Sequence, residues 1–150
     1  MKTSIFKMSG SAYIIAGIIM IFSLNSLSSC AAKTSFLTST IAPAAQGTVT
    51  VKQDGNKNYV IKVKISNLAP SNRLTPPMNA YIVWMVATDN STKNLGQLNT
   101  SEKFMSKNLN ASFETVSGIK PVKIFITSEN EVNAQYPESS TLVLTTDYLK

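Results

Sequence analysis

Residues 59–66 read YVIKVKIS, and this octet constrains the fold of the chain more than any other feature. Tyr59, Ile61, Val63 and Ile65 fall on one face of an extended chain; Val60, Lys62 and Lys64 fall on the other. Strand side chains point to opposite faces in turn, so a period of two over eight residues predicts a half-buried strand. The preceding TVTVK alternates as well, with Val49 and Val51 against Thr48, Thr50 and Lys52. Between them QDGNKN carries Asp54-Gly55, a hairpin signal because glycine tolerates positive φ. The two segments are expected to pair as an antiparallel hairpin. No stretch after Gly47 keeps the 3.6-residue period of an amphipathic helix.

The rest of the chain continues in strands. NLAPSNRLTPPMN (67–79) is a loop, because Pro76-Pro77 cannot sit in a central strand. AYIVWMVAT (80–88) is apolar on both faces, Ala80, Ile82, Trp84 and Val86 against Tyr81, Val83 and Met85, which predicts a central strand. DNSTKN is a turn and LGQLNT a short strand. KFMSKNLNASFETV reads as one or two strands with Phe104, Leu109, Phe113 and Val116 as candidate core. PVKIFITSE alternates, Val122, Ile124 and Ile126 inward, and TLVLTTDYL is the final strand. About seven short strands in roughly 100 residues, with turns at regular intervals, point to an all-β fold. An immunoglobulin-like antiparallel β-sandwich fits best, with a small closed barrel as the alternative. With one cysteine in the chain, packing alone must hold the core.

The N-terminal third reads as an address. Residues 1–12 carry Lys2 and Lys7 and no acid; Tyr13 to Phe22 is an apolar run, about half of the ~20 residues a spanning helix needs. A positive segment followed by a short apolar one is the pattern of a secretory signal, expected as a helix ahead of the sandwich. Leu27-Ser28-Ser29-Cys30 follows at once, and this resembles the lipobox of bacterial lipoproteins. The resemblance implies cleavage between Ser29 and Cys30 and a diacylglyceryl group on the Cys30 thiol. Each buried methylene of such a chain contributes about 0.8 kcal/mol, and two chains hold where one binds only marginally. Ala31 after the cysteine resembles the outer-membrane-sorted class. The expected organisation is a signal peptide over 1–29, the lipidated cysteine and a flexible Ala/Ser/Thr-rich tether over 30–46, and the β-sandwich over 47–150. Phe36, Leu37 and Ile41 offer an alternative, a first edge strand inside that tether.

Composition removes several functions. The chain has no histidine, which takes away the usual general base and imidazole ligand. One cysteine leaves no Cys/His zinc site, and no cofactor or metal is expected. Its net charge of +6 is spread out, and Arg73 is the only arginine, so nucleic acid is not an expected partner. Glu129 and Glu131 with Asn130 and Asn133 supply too few carboxylates for a calcium frame. Glu129 and Glu114 are the available pair for glycosidase chemistry, but the acids lie mostly in turns and no enzyme is expected.

NLAPSNRLTPPMNAYIVWMVATDNSTKNLGQL (67–98) is similar to a passage in the extracytoplasmic C-terminal domain of anti-sigma-K-type factors. The matching residues are Leu68, Pro70, Pro76, Pro77, Tyr81, Trp84, Met85, Leu95, Gly96 and Leu98, and KPVKIFITSE fits that family's last strands. The resemblance implies an envelope-side β-sandwich and carries over no catalytic or ligand residue. A lipid signal stands where those factors have a spanning helix, so sigma-factor regulation is not implied.

The candidate binding surface is Lys52, Lys62 and Lys64 on the outer face of the first hairpin, Arg73 in the 67–79 loop, and Tyr81, on the strand face opposite Trp84. The lysines could meet anionic headgroups or glycan, or simply form a solvated face. The expected protein is a non-catalytic envelope lipoprotein, anchored at the outer membrane and facing the periplasm, that binds an envelope protein or glycan or acts structurally. A sensor or regulatory partner of a signalling system is the alternative; an envelope enzyme comes last.

Overall fold

A computed structural model describes residues 31–100 and 109–149. The expected signal peptide, the Ser29–Cys30 cleavage site and Phe104 lie outside the described residues. Nine strands are described: β1 Ala32–Ser35, β2 Gln46–Gln53, β3 Tyr59–Ser66, β4 Ala80–Ala87, β5 Thr92–Gln97, β6 Asn99–Thr100, β7 Ala111–Ser117, β8 Pro121–Glu129 and β9 Leu142–Thr145. They form two antiparallel sheets, ordered β1-β2-β3-β7-β6 and β5-β4-β8-β9. Leaving β1 aside, this is the ABED and C′CFG order of an immunoglobulin-type sandwich. The expected fold is therefore the observed one, with β1 and the two-residue β6 added to the seven strands.

Alternation places the core. Ile61, Val63 and Ile65 of β3 and Val49 of β2 face Tyr81, Val83 and Met85 of β4, with Ile124 and Ile126 of β8 beside them. Each such buried side chain stabilises the fold by about 1.5–3 kcal/mol relative to leaving it exposed. Val116, a core candidate by sequence, is 57% exposed. In β7 the inward parity belongs to Ala111, Phe113 and Thr115, and Val116 falls on the opposite parity to Phe113. Leu109 precedes β7 and is exposed as well.

The tether is corrected. Ala32–Ser35 pairs with β2 from Ala32↔Val51 to Ser35↔Thr48. Beyond it Ser39, Ala42 and Ala45 are buried, and the Ser39 Oγ accepts the Ala42 N–H at 2.8 Å. The sandwich begins at Ala32, not Gly47. Gly47 instead permits the packing there: a Cβ on it would stand 2.7 Å from the Lys64 carbonyl oxygen, 2.9 Å from Ile65 Cγ1 and 3.0 Å from Phe36 Cδ2.

At both sides of the sandwich the chain passes from one sheet to the other. After β1, Phe36 bridges Thr146 and the Leu37 N–H donates to the Thr145 carbonyl at 2.8 Å, which carries the chain onto the edge beside β9. On the other side β5 runs through buried Leu98, whose N–H donates to the Tyr81 carbonyl at 2.9 Å, into β6 of the opposite sheet. Unpaired edge groups invite association, and the first crossing pairs part of the edge of β9. A bulge opposite Val83/Trp84 accompanies the second crossing, with Gly96 at φ +128° and Phe113 packed against it.

The hairpin between β2 and β3 forms as expected, but its left-handed residue is Lys57 (φ 65°), not Gly55. Asp54 organises the turn: its Oδ1 accepts the N–H groups of Asn56 and Asn58 at 2.9 and 2.8 Å. A short polar side chain that bonds the backbone two residues on is an intrinsic turn former.

Trp84 is wholly buried, yet it lies outside the main core, on the outer face of the second sheet with Ala80 and Ile82. The 130–138 loop roofs it. Asn94 Nδ2 donates to the carbonyls of Val132 and Ala134, Asn79 Nδ2 donates to the Asn130 carbonyl, and Phe125 stacks on the indole at 6.3 Å. Among the described residues no helix is long and apolar enough to cross a membrane.

Candidate binding face

The register of β1, β2, β3 and β7 determines what the outer face of the first sheet displays. Lys33 pairs with Thr50, Thr50 with Lys62 and Lys62 with Glu114, a single row across four strands. The next row is Ser35, Thr48, Lys64 and Ser112, and on the other side Lys52 pairs with Val60 and Val60 with Val116. Lys33, Lys52, Lys62 and Lys64 are all exposed, with Glu114 the carboxylate among them. Lys62 Nζ meets Glu114 Oε1 at 2.8 Å, both half-exposed, a pair worth at most about 1 kcal/mol in that setting. Among the described residues no carboxylate stands within ion-pair distance of the other three lysines.

The structure thus brings Lys52, Lys62 and Lys64 together on one surface, and adds Lys33. Sequence reasoning missed Lys33 because it fell in the expected tether; the usable signal was the alternative first strand around Phe36 and Leu37. Lys64 also lines an open groove of about 830 Å³ with Ser35, Thr48, Ser66 and Ser112, floored by Gly47 and Ile65. Its walls mix hydroxyls, one ammonium and apolar surface, a lining suited to a polar, extended ligand.

Arg73 stands apart. It closes the short 3₁₀ turn Ser71–Arg73, is exposed, and lines a separate hollow of about 530 Å³ with Thr40, Asn67 and Thr75. Tyr81 is a correction: it is 2% exposed and belongs to the interior between the sheets, so it offers nothing to a surface ligand. Its hydroxyl donates to the Ala69 carbonyl at 2.7 Å and pins the start of the 67–79 loop. Burial raises the phenol to about 12.

The carboxylates considered for chemistry do not converge. Glu114 lies on the first sheet and Glu129 ends β8 of the second. Glu129 is 6% exposed and is spent on structure: its Oε1 accepts the Thr127 hydroxyl at 2.6 Å and the Glu138 N–H at 3.2 Å. The Thr127 Oγ1 in turn accepts the Trp84 Nε1–H at 2.8 Å. Asp89 is held below the usual carboxylate range by the Ser91 hydroxyl and then the Ser91 N–H, a turn interaction. Among the described residues no three His, Cys, Asp or Glu side chains stand close enough to hold a metal ion.

No protein-family model, no curated protein and no solved structure matches the chain.

Proposed function

We propose that the chain is a non-catalytic envelope lipoprotein, anchored through Cys30 at the outer membrane and facing the periplasm, whose sandwich binds an acidic protein or glycan of the envelope. The observation that carries the binding half is the outer face of the first sheet. Among the described residues four lysines share it with one carboxylate, and one of them, Lys64, also lines the groove. A clustered field of one sign selects partners of the other and speeds their encounter. The anchoring half rests on Leu27-Ser28-Ser29-Cys30 directly after a charged and an apolar segment.

Two experiments address the two halves. Metabolic labelling with an alkyne fatty acid should mark the protein and lose the mark in Cys30→Ala; equal labelling of the variant refutes lipidation at that thiol. For the partner, a photo-crosslinking residue at Thr50, in the middle of the lysine rows, should capture an envelope component in cells. The same residue at Thr92, on the edge of the other sheet, should not. Equal capture at both positions, or capture at Thr50 that survives Lys52→Glu with Lys64→Glu, refutes recognition by this face. Capture of a membrane signalling protein at Thr50 would favour the sensor reading.

A further inference from the structure

We propose that the end of the sandwich built from the 54–58, 88–91 and 118–120 turns seats directly on an anionic lipid surface, holding the domain end-on with its opposite end free. This rests on lipidation of Cys30. With β1 starting at Ala32, two peptide units separate the acylated residue from the folded sheet. They span at most about 7 Å. A flexible tether of 16 residues would instead have a root-mean-square reach of about 22 Å and would impose no orientation. The link also enters at a definite end. Ala32 opens β1 opposite Val51, two residues short of the end of β2 that leads into the 54–58 turn.

The three turns lie together. The Thr88 N–H donates to the Lys120 carbonyl at 3.2 Å, and Asn58 Oδ1 is 3.9 Å from where a Cβ on Gly118 would stand. Charge divides along the same axis. The half of the sandwich toward these turns carries, among the described residues, Lys33, Lys52, Lys57, Lys62, Lys93, Lys120 and Lys123 against Asp54, Asp89, Glu114 and Asp147. Two of those aspartates are turned onto the backbone of their own turns. The other half, among the described residues, carries Lys64 and Arg73 against Glu129, Glu131 and Glu138. Attraction to an anionic leaflet dies away over about 8 Å at physiological salt, so only the near end feels it. Tyr148 belongs to the same end, since the next residue's N–H, that of Leu149, donates to the Val122 carbonyl at the start of β8. It is 71% exposed, and a ring with a polar tip suits the headgroup zone.

The test uses the acylated full-length product, first weighed by mass spectrometry, in vesicles of phosphatidylcholine with about a third phosphatidylglycerol. Nitroxides are placed singly at Asn56→Cys and Asn72→Cys, exposed positions at opposite ends of the eight-residue β3. Such a strand is about 26 Å long. A nickel-chelating lipid headgroup should relax the label at 56 several-fold more than the label at 72. The ratio should fall in Lys57→Gln with Lys120→Gln and in vesicles of phosphatidylcholine alone, down to what the short link sustains without the charge attraction. A ratio near one, or reversed, in the anionic vesicles overturns end-on seating while leaving the anchor standing. A ratio unchanged by the lysine variant or by neutral lipid overturns the anionic part. Loss of the ratio on adding an acidic polysaccharide would assign the lysine end to glycan and overturn the lipid assignment. Absence of the acyl mass on Cys30 refutes the anchor, and the seating with it.

Discussion

The Trp84–Thr127–Glu129 chain gives the sharpest quantitative test of the architecture. Thr127→Val keeps the side-chain shape and deletes one hydroxyl. That hydroxyl does two jobs: it accepts the indole N–H at 2.8 Å and donates to Glu129 at 2.6 Å. Trp84 has no exposed surface and Thr127 only 1%, so water cannot replace the lost partner. A buried donor left unpaired costs about 1–3 kcal/mol, and the lost bond to Glu129 adds about 1 kcal/mol. The expected total is about 2–4 kcal/mol. With a urea m-value near 1.5 kcal/mol/M, the unfolding midpoint should drop by about 1–3 M. Thr127→Ser keeps the hydroxyl and loses a methyl, at a cost of about 1 kcal/mol. The Trp84 fluorescence reports both transitions, since it is the only tryptophan in the chain. If Thr127→Val costs under 1 kcal/mol, or no more than Thr127→Ser, the hydroxyl does not hold this network and the roofed second core is refuted. Because Glu129 also accepts the Glu138 N–H, the same variant should speed proteolytic cleavage within 130–138, and Thr127→Ser should not.

Gly47→Ala should destabilise by about 1–3 kcal/mol in the same urea titration, because the new methyl meets backbone oxygen at 2.7 Å and has no space to take. Lys57→Gly should stabilise by about 0.5–1 kcal/mol, since φ of 65° is strained for lysine and free for glycine; a loss of stability would place the strain elsewhere. Tyr81 should make the fold alkali-sensitive. Its phenol is raised to about 12 in the folded chain and titrates near 10 when unfolded. The unfolded state therefore loses its proton first, and this contribution is complete below pH 10 and lost between 10 and 12. Tyr81→Phe should remove that component of the pH dependence and cost about 1–2 kcal/mol at neutral pH through the Ala69 hydrogen bond; an unchanged alkaline profile would contradict it.

What could be read from the sequence was what burial writes into parity. In β3 one face is core and the other solvent, so Ile61, Val63 and Ile65 separate from Lys62 and Lys64 by alternation alone. In β4 both faces are apolar, and parity then says only that Tyr81 and Trp84 part company. Which of them meets the other sheet depends on the 130–138 loop folding back over Trp84, a contact made by residues about 50 positions away. That is why Tyr81 reads as a candidate surface residue opposite Trp84, when it lies between the sheets. β1 is harder still, since AKTS has no hydrophobic side to announce itself. An edge strand needs only a neighbour with free backbone groups, and β2 supplies them. The binding face inherits this blindness. Lysines on β2 and β3 follow from alternation, but the rows Lys33–Thr50–Lys62–Glu114 and Ser35–Thr48–Lys64–Ser112 exist only once four strands are in register. A one-residue slip of β1 would turn Lys33 inward toward Val49 and Val51 and expose Thr34 in its place. The crossing at Phe36 forbids that slip, because the Leu37 N–H is already committed to Thr145 on the other sheet. The same crossing that pairs part of the β9 edge therefore fixes which charges the outer face presents, and a site of this kind is specified by that crossing as much as by its lysines.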